Sequence, residues 1–145
     1  MTPKQQAKKK EFKKLERLYK RIEPVGSRVT CNPPPTDTDE DYLVLLKSDD
    51  GWDEFCDMMD KEKWEFDGSD IDDAADTREE WDRFQSFSKN GINLIVTSSE
   101  LFFRRFMAAS SVAKRLNLMN KCDRIALFQA VLYGNEPMPE LMEAA

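Results

Sequence analysis

The chain has 145 residues, of which 40% are hydrophobic and 34% are charged. This length fits one domain over residues 1–145, and no apolar run approaches the ~20 residues of a membrane-spanning helix. Histidine is absent and the three cysteines lack metal-ligand spacing, which excludes His-containing zinc sites and favours a reducing, cytoplasmic compartment. Any catalysis would therefore depend on carboxylates and a hard metal ion.

Charge is distributed unevenly along the chain. Residues 1–21 contain nine basic and two acidic side chains, whereas residues 37–82 contain twenty acidic and four basic ones. Such an acidic block repels nucleic-acid phosphates and attracts cations. A solvated acidic face explains most of these carboxylates, and only those fixed beside a buried element are candidate metal ligands.

The N-terminal part predicts a helix, a short strand and a proline-rich loop. Apolar residues recur at helical spacing opposite a face of Lys and Arg, so residues 1–22 are predicted to form a basic amphipathic helix that ends before Pro24. Residues 25–29 predict a short strand that opens into a turn. Residues 31–35 contain three consecutive prolines, which exclude a helix or a central strand.

The middle of the chain predicts a buried strand, a helix and an acidic loop. Tyr42–Leu46 is an uninterrupted apolar run, typical of a strand that is buried on both faces. Residues 51–63 repeat apolar side chains at helical spacing and predict an amphipathic helix. Residues 67–80 are acidic with little periodicity, and we interpret them as a surface loop.

The C-terminal part predicts a β-hairpin and two helices. Two alternating runs, residues 84–88 and 92–97, flank Asn90-Gly91, and Asn-Gly in that context is typical of a two-residue hairpin turn. Residues 98–134 predict a helical pair that begins at a Ser cap and is closed by a glycine. The fold class is therefore α/β (α+β): a small mixed sheet on which the N-terminal helix and two C-terminal helices pack.

Candidate chemistry lies before and at the start of the buried strand. Gly26 allows close backbone approach, and Ser27 offers a hydroxyl and an amide suited to phosphate oxygens. Asp39 and Asp41 are two positions apart at the mouth of the strand, so their side chains project from one face. Two convergent carboxylates beside a phosphate-binding turn predict a Mg²⁺ site that substrate phosphates complete.

The order of these motifs resembles the signature of the nucleotidyltransferase superfamily, which has the polymerase-beta-like fold. In that signature a Gly-Ser turn is followed by a connecting loop and by an Asp-x-Asp motif that leads into an apolar strand. The small single-domain type encoded by bacteriophages is the most similar. The resemblance covers most of residues 20–135. It includes the stretches Asn93–Thr97, Val112–Leu118 and Asp123–Gly134.

This resemblance implies transfer of a nucleotidyl group from an NTP such as ATP to an acceptor, with Mg²⁺ or Mn²⁺ as cofactor. Asp39 and Asp41 would be the catalytic carboxylates that hold the metal against the triphosphate. Gly26 and Ser27 would hold the β- and γ-phosphates, and Arg28 would add a cation. The acceptor stays open between a protein, RNA, a small molecule and a second nucleotide.

Members of the superfamily usually carry a third carboxylate on a neighbouring strand. The matching position here is Asn93, whose amide can offer an oxygen to a metal but cannot act as a base. Three alternatives follow. The protein is an enzyme with a weakened second metal site, or another carboxylate such as Glu65 or Asp67 substitutes, or the protein binds a nucleotide or a host protein without catalysis.

Two segments predict further partners. The lysine clusters of the N-terminal helix are consistent with contact to RNA, although a solvated face is the more common reason for such a pattern. The acidic segment 37–82 would suit a basic host protein if the chain is a phage accessory factor. A phage-encoded protein of this kind is expected in the cytoplasm of the host cell, with no membrane contact.

Overall fold

A computed structural model describes residues 2–36, 38–69 and 84–133. These residues form a five-stranded mixed sheet with helices on both faces, which confirms the predicted α+β class. The elements in chain order are α1 (Pro3–Leu15), β1 (Tyr19–Val25), α2 (Ser27–Thr30), β2 (Glu40–Leu46), a 3₁₀ turn (Asp49–Gly51), α3 (Trp52–Lys61), β3 (Glu65–Ser69), β4 (Gln85–Lys89), β5 (Ile92–Thr97), α4 (Glu100–Leu116) and α5 (Lys121–Tyr133).

The strands lie in the order β1-β2-β5-β4-β3. Strands β2 and β5 are parallel, and the other neighbouring pairs are antiparallel. The register places Asp41 of β2 between Val25 of β1 and Asn93 of β5. The start of β2 therefore meets the end of β1 and the start of β5, which brings together residues that are distant in sequence.

Strand β2 is the apolar centre of the fold. Its last four side chains are each at most 3% exposed, as the apolar run predicts. They alternate between two hydrophobic clusters, one on each face of the sheet. The first cluster joins Val44 and Leu46 to Leu15 of α1 and Phe55 of α3, and the second joins Leu43 and Leu45 to Phe102 and Phe103 of α4 and Leu132 of α5.

The predicted hairpin and the predicted Ser cap of the C-terminal helical pair are confirmed. Asn90 and Gly91 have φ angles of 52° and 79°, the two positive values that a type I′ turn requires. The Ser99 hydroxyl accepts a hydrogen bond of 3.1 Å from the amide of Phe102 and caps α4. The glycine predicted to close the last helix, Gly134, lies outside the described residues.

The predicted N-terminal helix is too long. Helix α1 ends at Leu15, and residues 19–25 form β1 instead. Tyr19 and Ile22 fit the helical period, but antiparallel pairing with β2 satisfies the backbone of this segment. Pro24 is tolerated there because β1 is an edge strand. The strand and turn predicted at residues 25–29 are the last residue of β1 followed by the short helix α2.

The acidic loop predicted at residues 67–80 is wrong for its first residues. Residues 65–69 form the edge strand β3, which pairs with β4. Pairing between backbones needs no hydrophobic periodicity, so the sequence pattern did not reveal this strand. Residues 70–80 lie outside the described residues. In the part of the chain that the structure describes, no helix is long and apolar enough to cross a membrane.

Candidate functional site

Asp41 makes its main contact with a neighbouring strand. Its Oδ1 atom accepts a hydrogen bond of 3.2 Å from Nδ2 of Asn93, because the two residues are register partners in the parallel strands β2 and β5. The structure thus brings together two of the residues that the sequence singled out as metal ligands. Asn93 turns its amide hydrogens toward Asp41, and this contact does not use its oxygen.

Gly26 lies against the other carboxylate oxygen of Asp41. A β-carbon built on Gly26 would be 2.2 Å from Oδ2 of Asp41 and 3.0 Å from both Cβ and Cγ of that residue. The φ angle of Gly26 is +85°, a conformation that residues with a side chain rarely adopt. Position 26 therefore requires glycine for two independent reasons, and Asp41 fills the space that a side chain would need.

The surroundings of Asp41 act against its ionisation. Burial raises the pKa of Asp41 above its ordinary value, and the nearby Asp39 carboxylate acts in the same direction. The hydrogen bond from Asn93 and the charge of Arg28 lower this pKa and offset part of the increase. Asp39 itself precedes β2 and is exposed. Repulsion between the two carboxylates is an interaction that a bound cation would relieve.

Arg28 binds the loop that precedes β2. Its Nε atom donates to the carbonyl oxygen of Thr38 at 3.0 Å, and Nη2 donates to the carbonyl oxygens of Thr36 and Thr38 at 3.0 and 2.6 Å. The guanidinium thereby holds the backbone next to Asp39. The predicted role of Arg28 as a phosphate-binding cation stays a prediction, and the structure adds this structural role.

A cavity of about 380 Å³ opens beside these residues, a volume within the usual range of small-molecule sites. Gly26, Ser27 and Asp41 lie on its wall, so the predicted phosphate-binding turn and one carboxylate share one space. Helix α5 supplies other lining residues, which are not part of the Gly-Ser and Asp-x-Asp motifs. The only sequence signal was their spacing along one helix face. They are Lys121, Arg124, Ile125 and Phe128.

The substitute carboxylates do not reach this site. Glu65 and Asp67 belong to β3, which β5 and β4 separate from β2. Three strand spacings of ~4.8 Å put β3 roughly 14 Å from β2, which is too far for Glu65 or Asp67 to share a metal ion with Asp41. Over residues 2–36, 38–69 and 84–133, no three His, Cys, Asp or Glu side chains lie close enough together to hold a metal ion.

The lysines of α1 divide into two groups. Lys8 donates to Oε1 of Glu40 at 3.1 Å and to the hydroxyl of Tyr42 at 2.8 Å, and Lys14 contacts Glu62 at 2.6 Å. These two lysines therefore have intramolecular partners. Lys9, Lys10 and Lys13 form the second group. They are exposed and form no ion pair within the described residues, so they are the lysines of the predicted RNA-contacting clusters that have no such partner.

No protein-family model matches this chain, and a comparison with curated protein sequences finds no match either. The resemblance to nucleotidyltransferases therefore rests on the sequence motifs and stretches described above, without support from a family model or a curated relative.

Proposed function

We propose that this chain is a Mg²⁺-dependent nucleotidyltransferase that moves a nucleotidyl group from an NTP to an acceptor. The observation that supports this most strongly is the meeting of the Asp41 carboxylate and the Gly26-Ser27 turn on the wall of one cavity. A carboxylate for a hard cation, next to backbone and hydroxyl groups that suit phosphate, is the arrangement that a metal-bound triphosphate needs.

The donor groups would suit one Mg²⁺ ion, with Asp41 on the cavity wall and Asp39 exposed just before β2. Asp41 and Asp39 would supply carboxylate oxygens, and substrate phosphates and water would supply the rest, as is usual for this ion. A bound ion would neutralise charge on the triphosphate. A second ion has less support, because Asn93 stands in the place of a third carboxylate and directs its amide hydrogens to Asp41.

The protein's own residues would bind and orient the reacting groups. Gly26 leaves the backbone open to close approach, and Ser27 would donate hydrogen bonds to phosphate oxygens. Asn93 holds one oxygen of Asp41 and so fixes the plane of that carboxylate. Arg28 holds the loop that carries Asp39. Together these contacts would keep the reacting phosphate in a constant orientation.

Asn93 also favours a second candidate function, nucleotide binding without transfer. Its neutral amide cannot take a proton from an acceptor hydroxyl, and the described residues place no third carboxylate beside Asp41. Such a protein would be a phage accessory factor that keeps the cavity and has lost the reaction. Residue 37 and residues 70–82 of the acidic segment that would bind a host protein in this case lie outside the described residues.

Both candidate functions require nucleotide binding, which calorimetric titration with Mg-ATP and the other Mg-NTPs tests. We expect Asp39→Ala and Asp41→Ala to weaken Mg-NTP binding at least tenfold. Asp57→Ala is the matched control, because it removes an exposed carboxylate from α3. Unchanged affinity in both site variants would remove both candidates.

Incubation with each radiolabelled NTP, Mg²⁺ and cell lysate separates transfer from binding. Label on a protein, an RNA or a small molecule, lost with Asp41→Ala, would support the transferase and identify its acceptor. Binding with no transfer of any NTP would support the second candidate. If the protein instead acts by binding a host protein, charge reversal across residues 70–80 should abolish the biological activity, while Asp39→Ala and Asp41→Ala leave it intact.

A further inference from the structure

One face of α5 forms a side of the cavity that the proposed chemistry does not use. Lys121, Arg124, Ile125 and Phe128 line it, and their spacing puts them on adjacent turns of a single helix face. Lys121 and Phe128 are two turns apart, about 10 Å along the helix axis at 1.5 Å per residue. The cation and the aromatic ring can therefore contact different parts of one elongated ligand.

This side of the cavity is held in place by the protein itself. Nη1 of Arg124 donates to the carbonyl oxygens of Leu118 and Met119, both at 2.8 Å, and lies 3.2 Å from Sγ of Cys31. These contacts fix α5 to the turn after α4 and to the end of α2. Arg124 is thus committed to structure, whereas Lys121 forms no ion pair within the described residues.

The apolar end of the α5 face has a fixed aromatic ring. Phe128 packs edge-to-face against Phe106 with ring centroids 4.9 Å apart, which restricts its orientation. One turn before it, Ile125 is 50% exposed although it lines the cavity. A fixed aromatic ring beside an exposed aliphatic side chain suits a flat group with apolar faces, and a nucleobase is such a group.

We propose that this part of the cavity is a nucleobase subsite, in which Phe128 and Ile125 cover the base and Lys121 contacts a phosphate. The proposal rests on the proposed nucleotide-binding function. It adds that the affinity for an NTP divides between two ends of the cavity: one end, at Asp41, Gly26 and Ser27, recognises the triphosphate, and the other recognises the base.

Two probes separate these ends: Mg-ATP, and Mg-tripolyphosphate, which has no base. We expect Phe128→Ala to weaken Mg-ATP binding by a factor of about 5 to 150, the range for loss of one base–aromatic stack, and to leave Mg-tripolyphosphate within about twofold. Lys121→Gln should weaken both ligands. Phe66→Ala, which removes an exposed aromatic ring from β3, is the matched control and should change neither.

Ile125→Ala provides a second route if Phe128→Ala does not fold, because half of the Ile125 side chain is already exposed. It should weaken Mg-ATP and spare Mg-tripolyphosphate. Equal loss of both ligands in these folded variants would overturn the subsite, and so would unchanged Mg-ATP affinity. If the unaltered protein binds neither ligand, or if Asp41→Ala changes neither affinity, the proposed function itself fails.

Discussion

Oδ2 of Asp41 occupies the space where a β-carbon of residue 26 would lie, at a separation of only 2.2 Å. We therefore expect Gly26→Ala to lower the free energy of unfolding by more than about 1 kcal/mol, since it adds this clash to an unfavourable positive φ. Urea-induced unfolding measures the change. The variant should also lose Mg-NTP affinity, because the carboxylate must move.

Gly51→Ala is the matched control for this prediction. No atom lies within 4 Å of the β-carbon it would add, and the φ angle of Gly51 is −80°. It should therefore be neutral or slightly stabilising. A double variant separates the clash from the strain at positive φ. In the background of Asp41→Ala, Gly26→Ala should lower the free energy of unfolding by less than it does in the native chain. An equal decrease in both backgrounds would mean that the φ angle alone demands glycine.

Asp41→Asn should stabilise the folded protein at neutral pH when divalent cations are removed. Because the folded-state pKa of Asp41 is raised above 3.8, the unfolded chain releases this proton first as the pH rises. The free energy of unfolding therefore falls with rising pH between the unfolded and the folded pKa. Asparagine keeps the acceptor for Asn93 and removes the charge, so we expect a gain of about 1 kcal/mol or less at pH 7.

This gain should shrink as the pH is lowered and vanish below about pH 3.8, the ordinary pKa of an aspartate. Urea unfolding of both proteins at several pH values in EDTA provides the measurement. A gain of the same size at low pH would show that the carboxylate charge is not its cause. The same variant should lose Mg-NTP binding. Asp41 would then lower the stability of the folded protein and still be required for its function.

Lys8 and Lys9 are adjacent but should respond differently to substitution. Lys8→Met keeps the aliphatic stem and removes the bonds to Glu40 and Tyr42, which we expect to cost about 1 kcal/mol in urea unfolding. Lys9 is exposed, so Lys9→Met should change stability by less than about 0.5 kcal/mol. Equal effects would mean that the Lys8 contacts contribute nothing measurable.

Retention on RNA at moderate salt tests the other group of lysines on α1. If the helix contacts RNA, the triple variant Lys9→Glu, Lys10→Glu, Lys13→Glu should lose retention, because each phosphate contact contributes a salt-dependent term. Lys8→Met should keep it, since that ammonium is already paired with Glu40. If only Lys8→Met loses retention, the exposed face of Lys9, Lys10 and Lys13 is not what contacts RNA.

Structure that depends on residues near one another in sequence was predictable. Structure that depends on contacts with distant segments was not. Asn90-Gly91 predicts its hairpin because its turn chemistry is local. The same local reasoning extended the first helix through Tyr19, since the pairing partner that makes this segment a strand lies more than twenty residues away. The α5 side of the cavity escaped prediction for the same reason. Lys121 and Phe128 line the same cavity as Gly26 although they are far from it in sequence.

Asn93→Asp tests directly whether the start of β2 is a cation site. The substitution places a carboxylate where Nδ2 now lies, 3.2 Å from Oδ1 of Asp41. In EDTA we expect like-charge repulsion to lower the free energy of unfolding by about 1–3 kcal/mol. Mg²⁺ at millimolar concentration should restore much of this loss, since a cation bound only to the folded state stabilises it.

Asn93→Ala separates this effect from loss of the hydrogen bond, because it removes the donor without adding charge. Its stability should be lower than that of the native chain and should respond to Mg²⁺ no more than the native chain does. Thermal unfolding in EDTA and in Mg²⁺, followed by circular dichroism, distinguishes the two variants. If Mg²⁺ does not raise the stability of Asn93→Asp, three carboxylates at this position fail to bind the ion, and two cannot be expected to hold it for a triphosphate.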